Sequence, residues 1–310
     1  MKKILLTGIM ICAAFSASAQ VADKIEEGQT AFGFCVVDPS PASAGKAFTG
    51  LASVSDAAWA SFGNIASLPF SDGRGAFAAG YQSVTPRSTA TTGYAVSGAF
   101  LIGNGAVAAG ARMQNGESYT ELDAHGNPLD EFTPNDMQIN VGYALSFAGN
   151  FAAGVNAHYL SSSIADGASM SSFAADLSFF GRFGSLNASA GLRNLGTSVK
   201  DSDGNSFSIP ANVFAAGEYG IRAGDKAYIK ADADFAYYLS GGMTVGAGLE
   251  GELFDILTIR AGASYGSEIM PTVVSAGIGV KFAGLSLDAA YIFAGENIGG
   301  TLMAGLGYSF

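Results

Sequence analysis

Charge is scarce in this chain. Only 13% of its 310 residues are Asp, Glu, Lys or Arg, while 49% are hydrophobic. Soluble domains carry about 25% charged residues, so this composition leaves little with which to cover a water-facing surface. Long apolar runs are missing as well. Beyond the N-terminal stretch Ile4 to Phe15, no segment reaches the ~20 consecutive apolar residues of a membrane helix, which excludes a helical span. Cysteine is limited to Cys12 and Cys35, too few for a disulfide framework. Cys12 follows Ile11, where a lipid-attachment signal needs a small residue. Cys35 reads as buried filler. Proline numbers only 8, mostly in segments that read as loops. Positive charge is also short. The net charge of −11 becomes about −13 once Lys2 and Lys3 leave with a leader. That argues against nucleic acid as a partner and fits solvated acidic loops.

Glycine is the abundant residue, at 43, which suits tightly paired strands and turns rather than helices. The N-terminus reads as a secretory signal peptide over 1–19. Met1-Lys2-Lys3 is basic, Ile4 to Phe15 is apolar, and Ala17-Ser18-Ala19 is a small-x-small cleavage site. Residues 20–72 do not alternate. Asp38-Pro39-Ser40-Pro41 is a turn region, and the small residues from Ala42 to Trp59 suit a short helix with turns. This segment is expected to act as a plug.

From Arg74 onward, segments of about ten residues alternate with period two. They lie at 74–84, 91–103, 105–114, 136–147, 151–161, 170–182, 185–194, 211–221, 226–238, 242–252, 255–265, 272–282, 285–294 and 299–310. Side chains alternate faces along a strand. Met137, Ile139, Val141, Tyr143, Leu145 and Phe147 therefore share one face, and Gln138, Asn140, Gly142, Ala144 and Ser146 the other. Connections after every second segment are short. Several of the others are long and polar, notably 115–135, 162–169 and 195–210. The expected fold is all-β: a transmembrane antiparallel β-barrel of fourteen strands over 73–310, closed because every backbone group in lipid must be paired. Tyr81, Tyr94, Tyr237, Tyr265, Phe282, Phe293 and Phe310 lie near strand ends, as interfacial girdles do.

Chemistry-bearing constellations are few. His125 falls in a long loop. His158 and Asn156 face the lumen, opposite Val155 and Tyr159. Asp201-Ser202-Asp203-Gly204-Asn205 has its glycine two positions early for a calcium loop and lacks the closing Glu. No catalytic residue, metal ligand or cofactor is expected. Asp176, Asp232, Asp234, Asp288 and Arg193 face the lumen. Lys230 shares a face with Asp232 and Asp234, so ion pairs among these groups or with the plug are expected.

The final residues, Gly299 to Phe310, put Leu302, Ala304, Leu306, Tyr308 and Phe310 on one face. This resembles the closing strand of bacterial outer-membrane barrels, in which Tyr308 and the terminal Phe310 would form the assembly signal. Ser40 to Phe70 resembles the N-terminal signature of the PorV/PorQ-like branch of the FadL-type barrel superfamily. Gly50-Leu51-Ala52 stands for its Gly-Val-Ala piece, Asp56 for its Asp, and Phe62-Gly63-Asn64-Ile65-Ala66 for its Asn-Pro-Ala piece. Ile65 replaces the proline, Gly63 replaces an aromatic, and the Arg usual near Ala44 is missing. Leu192-Arg193-Asn194-Leu195-Gly196, with Ile209-Pro210, resembles the family's Arg-Asn-x-Gly…Pro element. The resemblance implies a structural role for Gly50, Asp56, Asn64, Arg193, Asn194 and Gly196. It also implies a non-enzymatic outer-membrane component of type IX secretion. Such a protein binds the C-terminal domains of cargo and works with the secretion machinery, among outer-membrane lipid. The alternative is FadL-like passive transport of a hydrophobic ligand.

Overall fold

The computed structural model describes residues 30–85, 91–123, 125–166, 168–200, 204–224, 226–267, 270–294 and 300–310. The leader expected at 1–19 and Asp201 to Asp203 lie outside the described residues. Chain order gives β1 (Gly75–Thr85), β2 (Thr91–Ile102), β3 (Gly105–Asn115), β4 (Tyr119–Leu122), β5 (Pro128–Phe132) and β6 (Asn135–Phe147). Then come β7 (Phe151–Ala165), β8 (Ala168–Phe183), β9 (Leu186–Gly196), β10 (Val199–Lys200), β11 (Ser206–Phe207) and β12 (Asn212–Arg222). The last are β13 (Ala227–Tyr238), β14 (Met243–Leu253), β15 (Leu257–Gly266), β16 (Val273–Phe282), β17 (Leu285–Ala294) and β18 (Gly300–Ser309). All but β4, β5, β10 and β11 form one closed antiparallel barrel in the order β1-β18-β17-β16-β15-β14-β13-β12-β9-β8-β7-β6-β3-β2, fourteen strands in all. β1 closes on β18 from Ala76 opposite Ser309 to Thr85 opposite Gly300.

The period-two pattern builds this wall directly. Val141, Tyr143, Leu145 and Phe147 all point outward and are exposed, as are Leu285, Leu287, Tyr291 and Phe293. Their neighbours Gln138, Asn140 and Ala144 point inward and are buried. An apolar outer surface with a small, polar inner one suits hydrocarbon outside and a filled lumen inside. The expected girdle aromatics are exposed, with Phe282 at 72%. One end is closed by tight turns, where Gly103, Ala148, Gly149, Gly184, Gly224, Phe254, Asp255, Ala283 and Gly284 adopt the positive φ that short hairpins demand.

The other end departs from expectation in three places. The loop expected at 162–169 is a turn, because β7 and β8 run on and pair Ser163 with Ser169 and Ala165 with Ala168. Pairing there needs only backbone, so polar side chains hid it. The segment 115–135 contains the hairpin β4–β5, pinned by Tyr119 against Phe132 at 5.8 Å. Of the loop expected at 195–210, Val199 and Ile209 are buried, and Ser208 bridges to Thr30. Two-residue bridges leave no periodicity to read.

Residues 30–72 fill the lumen as a hatch. Ser40 caps the single helical turn Pro41–Ala44, its hydroxyl accepting from Ser43 N at 3.3 Å. Two 3-10 segments follow, Ala57–Trp59 and Ile65–Phe70. Trp59, Phe62, Ile65 and Leu68 are buried. Each such side chain contributes about 1.5–3 kcal/mol on burial. They fit because the inner wall is stripped to glycine and alanine. A Cβ on Gly154 would sit 3.0 Å from Ala66 N, and one on Gly277 2.9 Å from Gly45 Cα.

Candidate functional site: the hatch and the charged vestibule beneath it

The hatch is held differently at its ends and in its middle. Toward the long-loop mouth, Ala31, Phe32 and Cys35 pack with Leu160, Ala174, Val199 and Ile209, flanked by Phe34, Val36, Met170 and Phe207. This is an apolar cluster. Burial pushes the Cys35 thiol up to about 12, so it is an inert packing group. At the far side, Ile65 and Leu68 pack on Ala99, Ala106, Ala108 and Ala144.

The middle, residues 46–56, is fastened by charge. Lys46 Nζ lies 2.8 Å from Asp232 Oδ2, with the side chains 5% and 0% exposed. Asp234 Oδ2 accepts from Gly50 N at 2.9 Å and Leu51 N at 3.0 Å. Lys230 Nζ donates to Ser55 Oγ at 2.6 Å and to Glu250 Oε1 at 2.7 Å. Arg260 Nε donates to Glu250 Oε2 at 2.7 Å and its Nη1 to Asp288 Oδ1 at 2.6 Å. The strand pattern explains this cluster. Adjacent strands present Lys230 opposite Glu250 and Glu250 opposite Arg260 on the inner face.

A second polar layer grips the backbone of the hatch. Asn140 and Asn156 donate to Ser61 O at 2.9 and 2.6 Å. Arg193 Nη2 donates to Phe62 O at 2.7 Å, and Arg182 Nη2 to Phe70 O at 2.9 Å. Arg112 donates to the carbonyls of Val37 and Phe34. His158 is buried against this layer, one ring nitrogen 2.8 Å from Asp176 and the other 2.7 Å from Asn140.

The residues singled out from the sequence fall within these layers. Gly50 has φ of 119°, the left-handed region that favours glycine. Asn64 caps Ile65–Phe70 through Ala66 N at 3.0 Å and donates from Nδ2 to Leu51 O at 2.7 Å. Asp56 accepts from the Ser40 hydroxyl, and Asp38 Oδ1 accepts from Ser40 N at 2.9 Å. Arg193 and Asn194 sit at a bulge where the β8–β9 register shifts after Ala175. Asn194 has φ of 56°, and its N–H donates to Asp176 Oδ1 at 2.7 Å. Gly196 leaves room for Ile209, whose Cδ1 would lie 2.6 Å from an added Cβ. Phe310 packs on Phe77 and Phe100 with ring centroids 6.0 and 5.9 Å apart, and on Tyr308 at 5.9 Å. The expected plug contacts of Asp232, Asp234 and Lys230 are present. Lys46, Arg112, Glu218, Glu250 and Arg260 were missed. Lys46 carried a signal, as the lone basic residue between Pro41 and Gly73. Glu250 and Arg260 carried one too, since each lies on the inner face of a clear alternation.

Below the hatch, a cavity of roughly 770 Å³ opens toward the short-turn end. Among its lining residues are Trp59, Leu51, Glu218, Lys230, Glu250 and Arg260. Among the described residues, no group of three or more His, Cys, Asp or Glu is placed to hold a metal ion.

No protein-family model and no curated protein matches this sequence. Solved structures do match the fold. The toluene transporter TbuX of Ralstonia pickettii aligns at TM-score 0.64 and 12% identity, covering 87% of this chain and 98% of that one. The toluene transporter TodX of Pseudomonas putida aligns at 0.61 and 13% identity, covering 87% and 97%. A FadL homologue of Pseudomonas aeruginosa aligns at 0.56 and 13% identity, covering 91% and 100%. At these identities the likeness concerns the fold alone, the closed fourteen-stranded antiparallel barrel that those structures share with this chain.

Proposed function

We propose that this chain is a non-enzymatic outer-membrane transporter that passes small hydrophobic molecules through a hatched barrel. The observation that carries the reading is the division of the lumen. An apolar cluster lies at the long-loop mouth, built by Phe32, Phe34, Leu160, Met170, Val199 and Ile209, and the charged groups that fasten the middle of the hatch lie beyond it. A hydrophobic solute gains there about 25 cal/mol for each Å² it removes from water. The N-terminal hatch then separates that mouth from the vestibule. Three of the structures with this fold are named as transporters of toluene or as a FadL homologue, which supports the same reading.

The secretion role implied by the PorV/PorQ-like motifs is the reading this displaces. The motif residues Gly50, Asn64, Arg193 and Asn194 are spent on seating the hatch and on the bulge of the wall. Any hatched barrel needs such contacts, so they do not favour cargo binding. The test is uptake of toluene into proteoliposomes holding the purified protein, against empty liposomes and against protein lacking residues 30–72. Protein-dependent uptake that changes when the hatch is removed is expected. Uptake equal to that of empty liposomes, with secreted proteins co-purifying in fixed ratio, overturns the reading in favour of secretion.

A further inference from the structure

The vestibule beneath the hatch has a chemistry of its own. Its three buried cations are all committed. Lys46 is paired with Asp232, Lys230 with Glu250, and Arg260 with both Glu250 and Asp288. Arg182, also on the lining, spends Nη2 on the Phe70 carbonyl and stacks over the Phe70 ring at 5.1 Å. The carboxylates are not all matched. Glu218 lies on the lining, with only 4% of its surface exposed. Its Oε1 accepts from Asn187 Nδ2 at 2.9 Å. Its Oε2 is buried with no close hydrogen-bond partner among the described residues, and the Ser53 hydroxyl of the hatch is the nearby donor that interacts with this carboxylate. A buried carboxylate in this condition carries a large unmet cost, because an unsatisfied charged group forfeits its solvation. Aromatic and apolar side chains, Trp59, Phe70, Leu51 and Tyr228 among them, line the same cavity.

We propose that this vestibule is a binding site for hydrophobic amines, an ammonium head received by Glu218 and an apolar body lying among Trp59, Phe70 and Leu51. This deepens the transport reading by naming the chemistry of the molecule that passes the hatch. An anionic amphiphile meets no uncommitted cation in the buried part of the lining; Arg222, over the Tyr228 ring, and Lys281 lie on the exposed part of it, away from solvent-excluded contact. A plain hydrocarbon can use only the apolar side chains of the lining and leaves the Glu218 carboxylate unmatched. An ammonium supplies the donor that Glu218 Oε2 lacks, and its charge is favoured near aromatic faces. The volume of roughly 770 Å³ accepts a ligand of drug-like size.

Trp59 is the chain's only tryptophan and lines the cavity, so its fluorescence reports on occupancy without a label. The probes are benzylamine, benzoate and toluene, titrated into the detergent-solubilised full chain at neutral pH. Benzylamine is expected to change Trp59 emission saturably, and Glu218→Gln to weaken its binding at least tenfold. Benzoate and toluene are expected to give no saturable change. Gel-mobility heat modifiability checks that the Glu218→Gln barrel is folded, and Asn187→Ala serves as a second variant that disturbs the same carboxylate. Toluene or benzoate binding as tightly as benzylamine overturns the proposal, as does unchanged benzylamine binding in folded Glu218→Gln. The transport reading fails separately. If toluene uptake is absent while benzylamine still binds through Glu218, the site stands and the hydrocarbon route falls.

Discussion

Replacing Lys46 with alanine tests whether the middle of the hatch is held by charge. Lys46 and Asp232 are 186 residues apart in sequence and 2.8 Å apart in space, both almost fully buried. Removing the ammonium leaves Asp232 without its counter-charge in the lumen, with Oδ1 already lacking a partner. Breaking one side of a buried pair costs about 3–5 kcal/mol. At roughly 1.4 kcal/mol per factor of ten, local opening of residues 46–56 should rise by about two to four orders of magnitude. The amides of Gly50 and Leu51 report this directly, because both donate to Asp234 beside the pair. Hydrogen exchange of those two amides should accelerate by that amount, while amides of the Ile65–Phe70 segment should keep their protection. Adding Asp232→Asn should recover most of the loss by removing the stranded charge. Exchange at Gly50 and Leu51 within threefold of the parent protein would refute the reasoning. A double variant no better than the single one would do the same.

Three further predictions concern the same segment. Burial pushes the Asp56 carboxyl up to about 7, with the Ser40 hydroxyl opposing and Asp38 and Asp288 adding to it. The folded hatch therefore holds this proton more tightly than the free chain does, and hatch docking weakens as pH rises from about 4 to 7. Asp56→Asn should flatten that dependence in limited proteolysis of the hatch; an unchanged pH profile counts against it. Asn64→Ala removes the cap on Ile65–Phe70 and the bond to the Leu51 carbonyl. The loss should be about 1–3 kcal/mol, read as faster cleavage between residues 51 and 64. A Cβ on Gly246 would lie 2.6 Å from Thr49 Cγ2, so cysteines at 49 and 246 are close enough to bridge. In a Cys35→Ala background, the oxidised Thr49→Cys, Gly246→Cys protein should lose toluene uptake and regain it with reductant. Full uptake by the bridged protein would show that residues 46–56 do not move.

Much of the wall was legible because one face of each strand must meet lipid. Val141, Tyr143 and Leu145 alternate with Gly142 and Ala144, and no helix or soluble sandwich repeats that pattern fourteen times over ten-residue segments. The short turns were legible for a related reason, since hairpins such as Ala283-Gly284 admit few residues and fewer conformations. The hatch was legible only as a failure of alternation. Its seat was not, because Gly154, Gly277 and Gly110 look like any other small inward residue until a particular side chain is placed above them.

The sequence by itself determined the class of fold, the number of barrel strands and which face of each of them looks inward. Those follow from a period-two pattern and from the demand that backbone groups in hydrocarbon be paired. Only the tertiary structure decided which inward charges meet. Lys46 reaches Asp232, Asp234 takes the Gly50 and Leu51 amides, and Glu218 is left with one oxygen unmatched. Partners so far apart in the chain are chosen by barrel closure and register, and local sequence carries neither.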